Sequence, residues 1–304
     1  MRIRTRKSGK SLILSALAAS ALVMFVSPNS TAALADEKLD ISDDVLVEKF
    51  PNRSLYLDFV RPKAGNGPFP LVVCIHGGGW STGNRKQMRD YMLYMASAGY
   101  ASACIEYRST AEAKFPAQIN DAAQAINYMI DRASEFKINT NKIALYGVSS
   151  GGHIALMLSG VQNDIESKSL PFTRLHAPVC ATVSLAGPTD LSQKFPPYLQ
   201  GIVDDLFSDA DRKNAQAIAQ DYLLASPITF IDAQDPPMLL IHGTKDLIVP
   251  FEQAQELISH CREKNATAEL IPIEGGGHGG GGDAKDMANS VASLFKFLRQ
   301  HFSA

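Results

Sequence analysis

Cysteine is scarce in this sequence, and its scarcity excludes several classes of site. The chain has 304 residues and four cysteines, whose spacing fits neither a disulfide framework nor a zinc site. The first three lie in apolar runs that are typical of buried strands. We expect all four to behave as small buried side chains, while oxidation stays open for an exported protein. They are Cys74, Cys104, Cys180 and Cys261.

The sequence also lacks an apolar run suited to a membrane span. The apolar run near the N-terminus, residues 12–26, is short and rich in alanine and serine. It follows a basic segment and precedes Ala33-Leu34-Ala35, a small-x-small cleavage pattern. We therefore predict a secretory signal peptide over residues 1–35, cleaved after Ala35, with an uncleaved anchor as the alternative. The mature protein would be secreted or periplasmic, and no cysteine follows the run to mark a lipoprotein.

Basic residues are fewer than acidic residues once that segment is removed. The whole chain has 29 Lys and Arg against 31 Asp and Glu, a net charge of −2. Residues 1–35 hold five of the basic residues and no acidic one, which leaves 24 basic and 31 acidic residues, a net charge of −7. An acidic chain without a basic stripe argues against nucleic acid and anionic membrane surfaces as partners.

The hydrophobic pattern predicts strands that alternate with helices. Alternating polar and apolar residues predict an antiparallel hairpin at the start, and later runs are continuously apolar, as expected for strands buried on both faces of a parallel sheet. The predicted strands are residues 45–50, 55–60, 71–75, 100–106, 143–146, 179–185, 238–242 and 269–273. This order predicts the α/β class, with a mostly parallel doubly wound sheet flanked by helices.

One domain accounts for the whole mature chain, residues 36–304. Residues 36–42 are polar and are expected to form a loosely ordered lead-in. Residues 191–237 lack strand character and contain short polar helices, so they predict a small lid insertion. Ligands of such sheets bind beyond the carboxyl ends of the strands, where this insertion begins.

The segment Gly147-Val148-Ser149-Ser150-Gly151 is the centre of the chemistry. It follows the apolar strand 143–146 and precedes an apolar helix, which is the context of a nucleophile elbow. Such a turn exposes the serine hydroxyl, while glycines on each side avoid clashes. The helix N-terminus behind Ser149 offers free N–H groups to a developing oxyanion.

A serine hydroxyl needs a base, and the base needs an acid that orients it. His278 follows the last predicted strand inside a run of glycines and is the predicted base. The other six histidines are interpreted as structural residues or lie in loops and helices where no pattern indicates a catalytic partner. Asp246 follows the preceding strand and is the predicted acid, with Asp190 and Glu274 as alternatives. The order Ser149, Asp246, His278 is characteristic of one class of serine hydrolases.

The segment His76-Gly77-Gly78-Gly79-Trp80 supplies backbone free of side chains at the end of another strand. Backbone N–H groups aimed at a tetrahedral oxyanion stabilise acyl transfer, so this segment is a candidate oxyanion loop. A phosphate-binding loop is the competing interpretation. It fails because neither Lys-Ser/Thr nor the GxGxxG spacing is present.

Taken together, these segments resemble the α/β-hydrolase esterases of the group that includes bacterial feruloyl and acetylxylan esterase-like proteins. They are similar also to the hormone-sensitive-lipase-like carboxylesterases that carry an HGGG motif. The matching segments are residues 76–80, 106–108, 114–118 with Asp121, 147–153, 225–228, 236–246 and 277–279.

This resemblance implies an α/β-hydrolase fold and an oxyanion hole formed by Gly78, Gly79 and Ser150. It implies no metal and no organic cofactor. The glycine run around His278 is longer than the usual Gly-His-Gly of these esterases, and extra glycines add loop entropy.

We therefore expect a secreted serine carboxylesterase that acts through an acyl-enzyme. Acetyl or feruloyl esters of plant polysaccharide are the expected substrates, either as small molecules or linked to the polymer. Trp80 and Tyr107 could stack on a sugar or aromatic acyl group, and a role in the wall or core is the alternative for both. An amidase or peptidase of the same fold, or a catalytically silent binding protein, are the alternative functions. The oligomeric state is left open.

Overall fold

In the computed structural model of this protein, residues 38–163, 170–207 and 215–303 are described. The predicted signal peptide, residues 1–35, lies outside the described residues and stays a prediction. No helix in the described part of the chain combines the length and apolarity that a membrane crossing requires.

Strands and helices alternate through most of the described chain. The strands are β1 (Leu39–Phe50), β2 (Arg53–Pro62), β3 (Phe69–Ile75), β4 (Ala101–Ile105), β5 (Ile138–Val148), β6 (Ala181–Leu185), β7 (Met238–Gly243) and β8 (Ala268–Ile273). The helices are α1 (Arg89–Ser97), α2 (Ala117–Asp131), α3 (Ala133–Phe136), α4 (Ser150–Val161), α5 (Pro197–Asp204), α6 (Ala215–Leu224), α7 (Phe251–Lys264) and α8 (Ala284–Ser303). Two 3₁₀ turns cover Arg85–Met88 and Pro227–Phe230.

All of these strands belong to one sheet with the order β1-β2-β4-β3-β5-β6-β7-β8. The pairs β1–β2 and β2–β4 are antiparallel. Every pair from β4 to β8 is parallel. The prediction of a mostly parallel sheet flanked by helices is confirmed. The carboxyl ends of β3, β5, β6, β7 and β8 therefore share one edge.

The first strand starts earlier than the sequence predicts. Residues 39–42 were expected to be loose, but Leu39 pairs with Pro62 and Ile41 with Val60. Leu39 is 5% exposed and Ile41 packs against the same core layer. These two apolar residues share one face of the strand, and burying them orders the segment.

The sheet separates two apolar layers. Along β3, Leu71, Val73 and Ile75 face the layer that contains the apolar sides of α2 and α4. Val72 and Cys74 face the opposite layer, which contains those of α1 and α8. All five side chains are fully buried, so the continuous apolar run reflects a strand covered on both faces.

The four thiols are free. Cys74, Cys104 and Cys261 are buried, as expected, whereas Cys180 is only partly buried at the start of β6. Burial raises the pKa of the Cys104 and Cys261 thiols, the latter to about 12. Buried thiols of this kind are unreactive in the protonated form.

The predicted lid, residues 191–237, contains α5, α6 and the second 3₁₀ turn. Its first residue is tied to the segment that follows α6, because the N–H of Leu191 donates to Ser226 Oγ at 2.8 Å. It also rests on the loop before α2, where the N–H of Phe115 donates to the carbonyl oxygen of Leu206 at 2.8 Å. An open cavity of about 680 Å³ lies within the segment and is lined by α5, the loop that precedes it and Tyr222 of α6.

Candidate active site

Ser149 lies on the tight turn between β5 and α4. Its backbone has φ 54° and ψ −122°, a conformation that residues with side chains rarely adopt and that stores strain. Its N–H donates to the carbonyl oxygen of Leu185 at 2.8 Å, which ties the turn to β6. A Cβ at Gly147 would collide with the carbonyl oxygen of Gly151, and a Cβ at Gly151 with that of Ile75. Packing therefore requires both glycines and fixes the serine at the sheet edge.

The structure brings Ser149, His278 and Asp246 into one chain of hydrogen bonds. His278 Nε2 lies 2.8 Å from Ser149 Oγ. His278 Nδ1 lies 2.8 Å from Asp246 Oδ2. Because an ionised carboxylate only accepts, we assign the proton to Nδ1, which leaves Nε2 free to accept from the serine hydroxyl. The loops after β5, β7 and β8 supply one residue each.

Asp246 is held from both sides. Its Oδ1 accepts the N–H groups of Ile248 at 2.8 Å and Val249 at 3.0 Å. Its Oδ2 accepts from His278 and lies 3.3 Å from His242 Nε2. Burial alone would raise the pKa of Asp246, but hydrogen bonds from His242 and His278 outweigh burial and keep this pKa below its ordinary value. The carboxylate is therefore ionised at neutral pH.

The contact of His242 with the acid was missed in the sequence, which indicated only a satisfied buried histidine. The imidazole is buried, and its Nε2 lies 2.9 Å from the carbonyl oxygen of Val249. The spacing His242-Gly-Thr-Lys-Asp246 at the end of β7 was the available signal. A turn that returns toward its own strand brings such residues together.

The two alternative acids are engaged elsewhere. Asp190 Oδ1 accepts the N–H of Ser192 at 2.9 Å and its hydroxyl at 2.6 Å. Glu274 Oε2 accepts the hydroxyl of Thr244 at 3.3 Å. Neither carboxylate is among the described hydrogen-bond partners of His278, so Asp246 is the acid that the geometry favours.

His278 sits in a small closed loop. The N–H of Gly277 donates to the carbonyl oxygen of Gly280 at 2.8 Å, and the N–H of Gly280 donates back at 3.2 Å. The N–H of Lys245 donates to the carbonyl oxygen of Gly276 at 2.9 Å, which joins this loop to that of the acid. Most of the glycines have positive φ, which only glycine adopts without strain; they are Gly275, Gly279, Gly280, Gly281 and Gly282.

The segment after β3 runs past the elbow. A Cβ at Gly77 would lie 2.9 Å from the carbonyl oxygen of Val148 and 3.2 Å from Ser149 Cβ, so the two backbones nearly touch. Gly78 and Gly79 have φ of 121° and 59°. Within the described residues, no backbone acceptor pairs with their N–H groups. Ser150 is the first residue of α4, so its N–H also lacks an intrahelical partner.

Trp80 and Tyr107 do not offer open ring faces, which corrects the expectation that they stack on a substrate. They are only 2% and 3% exposed. The Tyr107 ring stacks on His76 with centroids 4.2 Å apart. Its hydroxyl donates to the carbonyl oxygen of His76 at 3.0 Å and lies 3.3 Å from Ser150 Oγ. The apolar rings are covered by the core, which supports the alternative role in the wall of the site.

The described part of the chain contains no group of three His, Cys, Asp or Glu side chains arranged to hold a metal ion. His76 and His153 are buried singly, and burial lowers the pKa of each to about 4. Both imidazoles are therefore neutral at neutral pH, and each has hydrogen-bond partners within the protein.

Comparison with known proteins agrees with this geometry. The family model BD-FAE matches residues 57–261, which is more than half of the chain. A probable carboxylic ester hydrolase, LipM of Mycobacterium tuberculosis, is 30% identical over 201 residues, which are 65% of this chain and 46% of that protein. The isoprenylcysteine alpha-carbonyl methylesterase ICME of Arabidopsis thaliana is 25% identical over 228 residues, which are 73% of this chain and 53% of the relative. The chain spans about half the length of these relatives.

A solved structure aligns over most of the chain. The truncated form of a carbohydrate esterase from gut microbiota superposes with a TM-score of 0.69 at 26% identity, over 86% of this chain and 96% of that one. The resemblance to α/β-hydrolase esterases that the sequence motifs indicate is thereby confirmed. The protein belongs to the BD-FAE family and has the α/β-hydrolase fold.

Proposed function

We propose that this protein is a serine carboxylic-ester hydrolase that acts through an acyl-enzyme. The observation that carries the proposal is the pair of 2.8 Å hydrogen bonds that links Ser149 Oγ to His278 and His278 to Asp246. A hydroxyl, an imidazole and an ionised carboxylate in this arrangement form the relay that serine hydrolases use. The esterase names of the relatives support the same reaction.

In the first half-reaction, Ser149 Oγ attacks the ester carbonyl carbon while His278 Nε2 takes the hydroxyl proton. The ionised Asp246 orients the imidazole and stabilises its charged form. The tetrahedral intermediate collapses as the bond to the alcohol breaks, and His278 gives the proton to the departing oxygen. Water then attacks the acyl-enzyme, and His278 acts as base and acid again to release the carboxylic acid.

The oxyanion of each intermediate would bind to the N–H groups of Gly78, Gly79 and Ser150. Support comes from the contact between the Gly77 backbone and the elbow, together with the position of Ser150 at the start of α4. Removing one such donor from a hydrolase typically costs about 10²–10³ in kcat. No step of this reaction calls for a metal or an organic cofactor.

For substrates we propose short-chain esters, in particular acetyl or feruloyl esters of plant polysaccharide. The similarity to a carbohydrate esterase supports this class. The lid is short and its first residue is tied to the segment after α6, which favours small or exposed esters over long-chain lipids. We also propose that residues 1–35 direct export. N-terminal sequencing of the exported protein should then begin at Asp36, and a mature chain that retains residues 1–35 would exclude cleavage.

The decisive experiment compares wild type with Ser149→Ala on p-nitrophenyl acetate. We expect turnover to fall by about a millionfold, as happens when a triad nucleophile is removed. Ser303→Ala, which changes an exposed serine at the end of α8, serves as the matched control and should retain full activity. Near-normal turnover in Ser149→Ala would remove Ser149 from the mechanism.

A fluorophosphonate probe followed by peptide mapping tests the nucleophile directly. Wild type should be labelled at Ser149 and the variant should not be labelled there. Wild type that is neither labelled nor active would favour a catalytically silent binding protein. A panel of acyl esters of increasing chain length, with acetylated xylan and a ferulate ester, then tests the substrate class; faster cleavage of long-chain glycerides would overturn it.

A further inference from the structure

The candidate oxyanion loop is strained at Trp80. The residue has φ 55°, and it follows two glycines that also have positive φ. Glycine tolerates this region, but a tryptophan there is strained unless the surroundings hold it. Two contacts do so: the carbonyl oxygen of Trp80 accepts the N–H of Thr110 at 2.9 Å, and its indole Nε1–H donates to His153 Nδ1 at 3.2 Å.

His153 uses both ring nitrogens. Because Nδ1 accepts from the indole of Trp80, the ring proton lies on Nε2, which donates to the carbonyl oxygen of Ala225 at 2.7 Å. The imidazole is fully buried, and burial lowers its pKa to about 4, so it stays neutral at working pH. A protonated ring could no longer accept from Trp80.

His153 connects three parts of the site, one through its backbone and two through its imidazole. His153 lies one helical turn after the nucleophile, and its backbone N–H donates to the carbonyl oxygen of Ser149 at 3.0 Å. Trp80 directly follows the glycines of the oxyanion loop. Ala225 precedes Ser226, whose hydroxyl accepts from Leu191 and so ties the start of the lid to the segment after α6. The nucleophile turn, the oxyanion loop and the lid segment after α6 therefore meet at one residue, whose side chain makes two of the three contacts.

We propose that His153 is a positioning residue that fixes the oxyanion loop, through Trp80, and the lid segment after α6, through Ala225, relative to Ser149. The inference rests on the proposed esterase function. It adds that placement of the oxyanion donors depends on a neutral histidine outside the triad. Displacing the loop should weaken binding of the transition state much more than binding of the ester.

Three variants test this role. Trp80→Phe keeps a ring but removes the indole donor, and His153→Leu removes both ring nitrogens. His153→Gln retains one acceptor and one donor on a flexible amide. With p-nitrophenyl acetate, we expect kcat to fall about 10-fold to 100-fold in the first two variants while KM changes by less than about threefold. His153→Gln should recover most of the loss, and the double variant should be no slower than the slower single variant.

A trifluoromethyl ketone, which forms an oxyanion hemiketal with the serine, provides an independent reading. Its affinity should fall by the same factor as kcat. Ser102→Ala is the matched structural control, because it removes a buried hydrogen bond of 2.9 Å to the carbonyl oxygen of Val72 in the sheet centre. This control should lower the melting temperature and leave kcat unchanged.

Trp80 is the single tryptophan of the sequence, so tryptophan fluorescence, excited selectively beyond the tyrosine absorption band, reports on the environment of this side chain. A red-shifted emission in His153→Leu would accompany release of the loop. If wild type hydrolyses the ester and the variants lose only thermal stability, as Ser102→Ala does, the positioning role is wrong while the esterase proposal stands. If wild type is inactive, the esterase proposal itself fails.

Discussion

Replacing Ser149 by glycine and by alanine measures the strain of the nucleophile turn. Both variants remove the hydroxyl and its hydrogen bond to His278, so that loss cancels in the comparison. They differ by one methyl group at a position with φ 54° and ψ −122°. Alanine must keep the strained backbone, whereas glycine adopts it readily.

The expected difference follows from two opposing contributions. A residue with a Cβ in a sparsely populated backbone region costs about 1–3 kcal/mol. Glycine also has more conformational freedom in the unfolded chain, which destabilises the folded glycine variant by about 0.4–1 kcal/mol relative to the alanine variant. We therefore expect Ser149→Gly to be more stable than Ser149→Ala by about 1–2 kcal/mol, which corresponds to about 2–8 °C in melting temperature for a domain of this size.

Thermal unfolding of the two inactive variants, followed by calorimetry at one pH, is the assay. Both proteins should lack esterase activity, so differences in substrate binding do not enter. Equal stability, or a more stable alanine variant, would show that the turn is not strained and that the serine is held by its contacts alone. A crystal structure of the alanine variant with unchanged φ would complete the test.

Three further predictions concern the acid and the loop of the base. Asp246→Asn should lower kcat by about 10⁴, because an amide nitrogen facing His278 favours the tautomer that cannot accept the serine proton; loss of less than tenfold would argue against this role. The pKa of Asp246 is lower in the folded protein than in the unfolded chain, so the stability it contributes is present above about pH 4 and is lost as the pH falls toward the folded pKa. Urea unfolding between pH 6 and 3 should therefore show a steeper decline for wild type than for Asp246→Asn, and parallel curves would contradict the lowered pKa. A methyl group added at Gly275 or Gly277 meets open space, but only Gly275 has positive φ, so Gly277→Ala should be more stable than Gly275→Ala by about 1 kcal/mol in the same unfolding assay; the reverse order would contradict the loop conformation.

The convergence of Ser149, Asp246 and His278 could be predicted because it depends on a local pattern. Each residue follows an apolar strand, and the carboxyl ends of parallel strands share one edge. The pattern therefore predicted their meeting without any knowledge of loop conformation, and the structure places them in hydrogen-bond contact. Their catalytic roles stay predictions until the variants are assayed.

Contacts set by loop conformation could not be predicted in this way. Trp80 is buried at a position with positive φ, and periodicity carries no information on such a turn. Its partner His153 is 73 positions away and Ala225 lies in the lid. That residues 39–42 form the start of β1 was missed for a related reason. Two apolar side chains are a weak local signal, and pairing with β2 decides their conformation.

The three side chains of the relay are held by different means, and this difference determines how each should respond to mutation. The position of Ser149 is set by flanking glycines that packing requires, and Asp246 is held by two backbone N–H groups and two imidazoles. His278 is carried by a loop of glycines that have no side chains to pack, and the hydrogen bond to the firmly held Asp246 orients its ring. Truncating Asp246 should therefore disorder the imidazole of His278, whereas truncating Ser149 should leave both partners in place.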